Sequence, residues 1–139
     1  MAKKILFLLL ATLTSSVFAQ DKKPQYDKFK TGTYYTIKKR STDTIFYVRD
    51  ENSQTEYITK DGKVFKSFKL KLIWVNKSTY ILRNEKHTNN SSKFIERDVK
   101  CKIIQTGNDY YIVKAKMKGG KWMLIKFHVY KGEFKPNEN

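Results

Sequence analysis

The side chains in this sequence that can do covalent or acid–base chemistry are few. Cys101 is the only thiol, and His87 and His128 are the only imidazoles. A thiol beside an imidazole becomes a nucleophile, because the ring takes the proton and leaves a thiolate. These three are far apart in sequence, and Cys101 sits in a lysine-rich run, Lys100-Cys101-Lys102. The expected role of Cys101 is therefore a small buried apolar residue on a strand. Glu96 and Asp98 are two apart, which places both carboxylates on one face of a strand. Such a pair can hold a metal or share a proton, but Arg97 and Lys100 beside it offer plain ion pairing. Other acids, Asp43, Asp50, Glu51, Asp61 and Asp109, fall in turn-forming stretches, where short carboxylates bond the turn backbone. The sequence has no Gly-rich phosphate loop, no Cys-x-x-Cys, no His-Glu-x-x-His and no Gly-x-Ser-x-Gly. It points to a non-enzymatic protein without catalytic residues, cofactor or metal.

What remains is charge and aromatic surface. Lys and Arg number 29 against 13 acids, a net charge of +16. Most of the excess is Lys, which supplies point charges and not the bidentate fork of Arg. A field of this sign attracts polyanions, anionic glycans and anionic lipid headgroups. Nine Tyr, nine Phe and two Trp accompany it. Interleaved with Lys, aromatics can stack on bases or sugar rings. They also fill small β cores, and that is the role expected of Trp74 and Trp122.

The elements that must position these groups are strands. Thr33–Arg40, Thr44–Arg49 and Thr55–Thr59 come first, followed by the hairpin signal Lys60-Asp61-Gly62-Lys63. Val64–Val75 is the clearest amphipathic strand: Phe68, Leu70, Leu72 and Trp74 share one face, Ser67, Lys69 and Lys71 the other. Thr79–Asn84 carries Tyr80 and Leu82, and Glu85–Lys93 reads as a loop. Phe94–Thr106, with a bulge expected near Arg97, Tyr110–Met117 and Trp122–Tyr130 complete the set. Eight strands joined by short turns define an all-β, antiparallel up-and-down meander. It closes as a small lipocalin-like barrel or folds as a strongly curved sheet or sandwich.

Upstream lies a different pattern. Lys3 and Lys4 precede the apolar run Ile5–Ala11, and Val17-Phe18-Ala19 places small residues at −3 and −1 before Gln20. This is the layout of a signal peptide, predicting cleavage after Ala19 and a secreted or periplasmic product with no transmembrane anchor. Loss of Lys3 and Lys4 leaves 27 basic against 13 acidic residues, +14. The expected organisation is signal peptide 1–19, flexible leader 20–30, one β domain 31–134 and a disordered tail 135–139.

Four stretches carry a resemblance: Phe29-Lys30-Thr31-Gly32-Thr33, Phe46-Tyr47-Val48-Arg49-Asp50, Leu72-Ile73-Trp74-Val75-Asn76 and Thr79-Tyr80-Ile81-Leu82. In order and spacing the chain resembles, from Phe29 to about Tyr111, a family of short exported or lipid-anchored β proteins of Bacteroidetes-type bacteria. Members are of unknown function and sometimes carry a topoisomerase label. The family often has Arg before the Trp and Cys two residues after the Asn, where this chain has Ile73 and Ser78, and the anchoring Cys is missing. The resemblance implies one β domain in an envelope or secreted location and brings no activity.

Two functions follow from the residues. In the first, a monomeric binding or accessory module takes a small apolar or amphipathic ligand against Phe68, Leu70, Leu72, Trp74, Tyr80 and Phe127. In the second, Lys69, Lys71, Lys100 and Lys102 dock the protein on anionic envelope polymers or a membrane surface, with no specific nucleic acid as partner.

Overall fold

A computed structural model describes residues 23–39, 43–84 and 98–136. Eight strands, β1 (Gly32–Ile37), β2 (Thr44–Arg49), β3 (Ser53–Lys60), β4 (Lys63–Trp74), β5 (Thr79–Asn84), β6 (Val99–Thr106), β7 (Tyr110–Met117) and β8 (Met123–Val129), follow one another as antiparallel neighbours. Tyr34 and Tyr35 of β1 pair with Val129 and His128 of β8, so the sheet closes into a barrel and the sandwich alternative falls away. Closure pairs what would otherwise be two free edges. The signal-peptide expectation, the loop 85–93, the start of the sixth strand at Phe94, Glu96, His87 and the bulge near Arg97 all lie outside the described residues.

Local sequence explains the turns. Asp61 and Gly62 both take positive φ, 51° and 76°, the backbone of the tight hairpin turn that Asp-Gly favours. Asp50 folds its turn by accepting from the Asn52 and Ser53 amides at 2.9 and 2.7 Å. Register slips twice, between Ile58 and Thr59 and between Ile103 and Gln105. Beside the first slip, on the β2 side of β3, the Thr59 hydroxyl donates to the Thr44 carbonyl at 2.8 Å and extends the contact one residue past the last β2–β3 pair, Ile45 and Ile58.

Side chains alternate across the barrel wall. Tyr34, Tyr47, Leu72, Tyr80, Leu82, Cys101, Ile103, Tyr111, Val113, Ala115 and Phe127 form the core with Phe29. The outer positions of β4, β6 and β7 carry Lys69, Lys71, Lys100, Lys102, Lys114 and Lys116. A barrel that crosses a bilayer needs an apolar outer band at such positions. No helix among the described residues is long and apolar enough to cross a membrane.

One end of the barrel is closed. Residues read from sequence as a flexible leader cross it, with a 3-10 turn at Asp27–Phe29. The Gln25 amide donates to Thr106 Oγ1 at 3.0 Å and Lys28 Nζ to the Asn108 carbonyl at 2.6 Å. Phe29 is fully buried, its ring 4.9 Å from Tyr111. On the outside, register aligns Tyr35 with Phe46 and His128, and Phe46 with Tyr57. The stretch after β8 folds back here: Phe134 stacks on Phe46 at 4.5 Å and meets Tyr57 at 5.0 Å. If Phe29 is the plug of the closed end, Phe29→Ala costs about 3–5 kcal/mol in urea unfolding, the range for a large buried aromatic. A near-neutral effect shows that the segment merely lies on the barrel.

Candidate functional site

The interior divides into two halves of different chemistry. At the closed end the chain buries a cation. Arg49 is 3% exposed, lies at the end of β2 and points inward because it alternates in step with Tyr47. Burying a guanidinium is costly unless its donors are satisfied. Here NH1 donates to the Phe29 carbonyl at 3.0 Å. Nε and NH2 form a fork on Gln54 Oε1 at 3.0 and 2.7 Å, and NH2 also reaches Tyr80 Oη at 3.1 Å. The rings of Tyr80, Tyr34 and Tyr111 lie 4.6, 5.3 and 5.7 Å from its Cζ, so the aromatic faces supply part of the charge stabilisation that water would otherwise give.

The network continues toward the other end. Gln54 Nε2 donates to Glu56 Oε1 at 2.9 Å, so one amide bridges the cation and a carboxylate. Burial raises the Glu56 pKa, while the Gln54 bond and the Arg49 charge act against the rise. Oε2 of Glu56 takes no hydrogen bond from any described residue. Nearby, Tyr47 Oη and Thr36 Oγ1 share a bond of 3.1 Å, and burial pushes the Tyr47 phenol up to about 12.

The second half is the open end, where β1, β3, β5 and β7 finish and β2, β4, β6 and β8 begin. Ile45, Ile58, Leu70, Val99 and Ile125 follow the inward alternation yet are only half-buried, and Phe68, directly opposite Glu56, is 36% exposed. These residues, with Glu56 among them, make an apolar mouth in which Glu56 is the carboxylate on the inner wall among the described residues.

The six ligand-site residues expected from sequence do not gather in one place. Phe68 and Leu70 line the mouth. Leu72, Tyr80 and Phe127 are core, buried at the closed half. Trp74 sits at the closed end against Tyr80, ring centroids 4.9 Å apart. Trp122, expected in the core, is 44% exposed outside the wall, with Lys114 and Lys116 over its ring at 4.9 and 5.6 Å. The reason is position: Trp122 precedes β8 and leaves the inner line to Ile125 and Phe127.

The four candidate polyanion lysines are all exposed, but β5 separates Lys69 and Lys71 from Lys100 and Lys102. Lys100 and Lys102 instead face other lysines across β6 and β7, where Lys100 opposes Lys116 and Lys102 opposes Lys114. Asp98, paired in expectation with neighbours in sequence, is bonded by Arg83 at 2.7 and 3.0 Å. Cys101 is buried on β6 as expected, and burial pushes its thiol up to about 11, which keeps it protonated and unreactive.

Arg49, Gln54 and Glu56 escaped sequence reasoning. The available signal was period two: Tyr47-x-Arg49 and Gln54-x-Glu56-x-Ile58 place polar residues in line with large apolar ones. No family model matches the chain, and neither a curated protein nor a solved structure matches it.

Two outcomes test the site. Trp74 Nε1 and Tyr111 Oη are buried without a hydrogen-bond partner among the described residues. Tyr111→Phe removes a hydroxyl that meets the Arg49 charge without a well-formed hydrogen bond and so costs less than Tyr80→Phe, which removes an acceptor from Arg49 and costs about 1.5–3 kcal/mol by denaturant titration. Equal effects of the two substitutions contradict the bonding pattern. For Glu56 the sign runs the other way from a salt-bridged acid. With its folded pKa above the unfolded value of about 4.3, stability falls as pH rises through that interval and the loss persists at neutral pH. Glu56→Gln keeps an acceptor for Gln54 and abolishes the charge, so the variant melts higher at pH 7 and lacks this pH-dependent decline. A lower melting temperature at pH 7 refutes the assignment.

Proposed function

We propose that the protein binds a small amphipathic ligand through the open end of the barrel. The observation that carries this reading is the contrast between the two halves. At the closed end the inward positions, among them Tyr34, Tyr80, Tyr111, Phe127, Ile103, Gln54 and Arg49, are buried, whereas at the open end inward-facing Ile45, Ile58, Leu70, Val99 and Ile125 are left partly uncovered. Apolar side chains on the inner wall gain when a ligand displaces water from them, at roughly 25 cal/mol per Å². The apolar body of the ligand lies along these residues. Glu56, inside the mouth and with Oε2 unengaged by any described residue, selects a donor at the inserted end: a hydroxyl, an amide or an ammonium. A ligand pocket with an apolar lining and one or two placed polar groups is the usual design of small-molecule sites.

Displacement of N-phenylnaphthylamine, a neutral dye that brightens in apolar surroundings, tests this. The wild-type protein binds the dye, and long-chain alcohols or amines displace it. Leu70→Lys, which puts a charge on the inner wall, weakens dye binding by about tenfold or more, equivalent to about 1.4 kcal/mol. Glu56→Gln preserves dye binding but lowers the preference for amines over matched hydrocarbons. Dye binding unchanged by Leu70→Lys places the site elsewhere, and absence of dye binding by the wild type refutes the proposal.

A further inference from the structure

Of the nine large apolar residues exposed among the described ones, seven gather at one end, and Val75 and Ile104 lie elsewhere. Ile37 ends β1, Phe65 and Phe68 lie on the β3–β4 hairpin, Met117 ends β7, and Trp122, Met123 and Leu124 follow the β7–β8 turn; all seven are at the open end. Three are largely uncovered, Phe65 at 72%, Leu124 at 69% and Ile37 at 64%. Single exposed apolar side chains need no explanation, but a concentration at one end of a molecule does. Basic residues are interleaved with them. Lys38 and Lys39 follow Ile37, Lys63 and Lys66 flank Phe65, and Lys118 and Lys121 form the turn before Trp122. The described carboxylates on this rim are Asp43, Asp61 and Asp98, the last bonded by Arg83. Lys66 Nζ lies 4.6 Å from the Phe68 ring, so the two chemistries are in contact.

We propose that this rim docks, mouth downward, on an anionic lipid bilayer surface. Each alternative occupant uses only half of what the rim presents. A soluble anionic polymer pairs with the lysines and leaves Phe65 and Leu124 in water. A second copy of the chain covers the apolar groups but sets lysine against lysine. An anionic bilayer accepts both: the apolar tips enter the headgroup–acyl boundary while the ammonium groups remain at the phosphate level. The strands supply the geometry. The β1 end and the tips of the two hairpins stand around one opening of a closed barrel, so they meet a plane together. Near an anionic surface each lysine strengthens partition by roughly fivefold. Trp122, beneath Lys114 and Lys116, has the amphipathic character of residues that settle at the interface. The docking does not require an occupant in the mouth, so its failure and that of ligand binding are separate results.

The test is vesicle flotation with the purified full chain at physiological ionic strength, where the Debye length is about 8 Å. Vesicles of phosphatidylcholine alone are compared with vesicles containing added phosphatidylglycerol. The expected result is flotation with the anionic vesicles only, with a blue shift in tryptophan emission that Trp122→Phe removes. A variant carrying Phe65→Ser and Leu124→Ser, which keeps every charge, loses at least about tenfold in partition. A variant carrying Lys118→Gln and Lys121→Gln loses a similar amount. Full binding by the Phe65→Ser, Leu124→Ser variant reduces the attraction to the net charge of the chain and overturns the proposal. So does equal binding to both vesicle types. Should a variant melt abnormally, brominated lipid decides on the wild type: quenching of the Trp122 contribution supports the docked rim, and its absence refutes it.

Discussion

The buried guanidinium of Arg49 is the interaction on which the rest of this structure depends. It joins the segment that closes the barrel, through the Phe29 carbonyl, to β3 through Gln54 and to β5 through Tyr80. A cation without these partners at 3% exposure is not tolerable in a core of this size. The arrangement therefore demands several elements at once: the 3-10 turn must place a carbonyl over the closed end, and three tyrosines must present ring faces. Gln54 is the hinge of the scheme. Its carbonyl oxygen is committed to Arg49, which orients its amide nitrogen toward Glu56. A charge at the closed end thus determines how a carboxylate is held in the open half.

The two halves then differ for a volumetric reason. Tyr34, Tyr80, Tyr111, Phe127 and Phe29 are bulky interior side chains that surround the cation or stack on those that do. Apart from the partly exposed Phe68 and from Glu56, the open half is lined mainly by Ile, Leu, Val and Ala, which reach less far toward the axis. An interior of eight strands is just wide enough for side chains to fill. Smaller residues at one end leave the walls there incompletely covered. The ligand role proposed for the mouth and the lipid-surface role proposed for its rim both draw on this asymmetry.

Much of the architecture was legible in the sequence, and the reasons are specific. The bounds of β2, β5 and β7 coincide with those expected, because each is a β-rich run ended by turn residues. Asp61-Gly62 was readable since only a narrow set of residues takes two successive positive φ angles. Inward placement of Leu70, Leu72 and Tyr80 follows from alternation alone. The site was less legible. Arg49 ends a strand beside Asp50 and reads as surface, since arginine is seldom buried; only the closed-end carbonyl and the tyrosines make burial possible, and those come from distant parts of the chain. Glu56 was overlooked because one carboxylate in a strand carries no spacing pattern. Phe68 and Leu72 share a strand face but fall in different halves of the interior, a distinction that depends on where along its length β4 meets the closed end. Trp122 was misplaced because aromatic content signals a core without saying which aromatics occupy it.

The seam between β1 and β8 is the shortest pairing in the barrel, with only Tyr34 opposite Val129 and Tyr35 opposite His128. It also joins the two strands most distant in sequence. During synthesis the first strand must wait with one edge unpaired until residue 129 has left the ribosome, so closure is a late event whatever the order of the hairpins. The loop entropy of bringing these ends together falls on a contact of two residue pairs. Phe134 and Tyr130 emerge immediately afterward and lay aromatic rings over Phe46, on the far side of the seam from β8. The residues that follow β8 thus act as a latch from the seam to β2, and without their rings the join would stand with nothing laid across it.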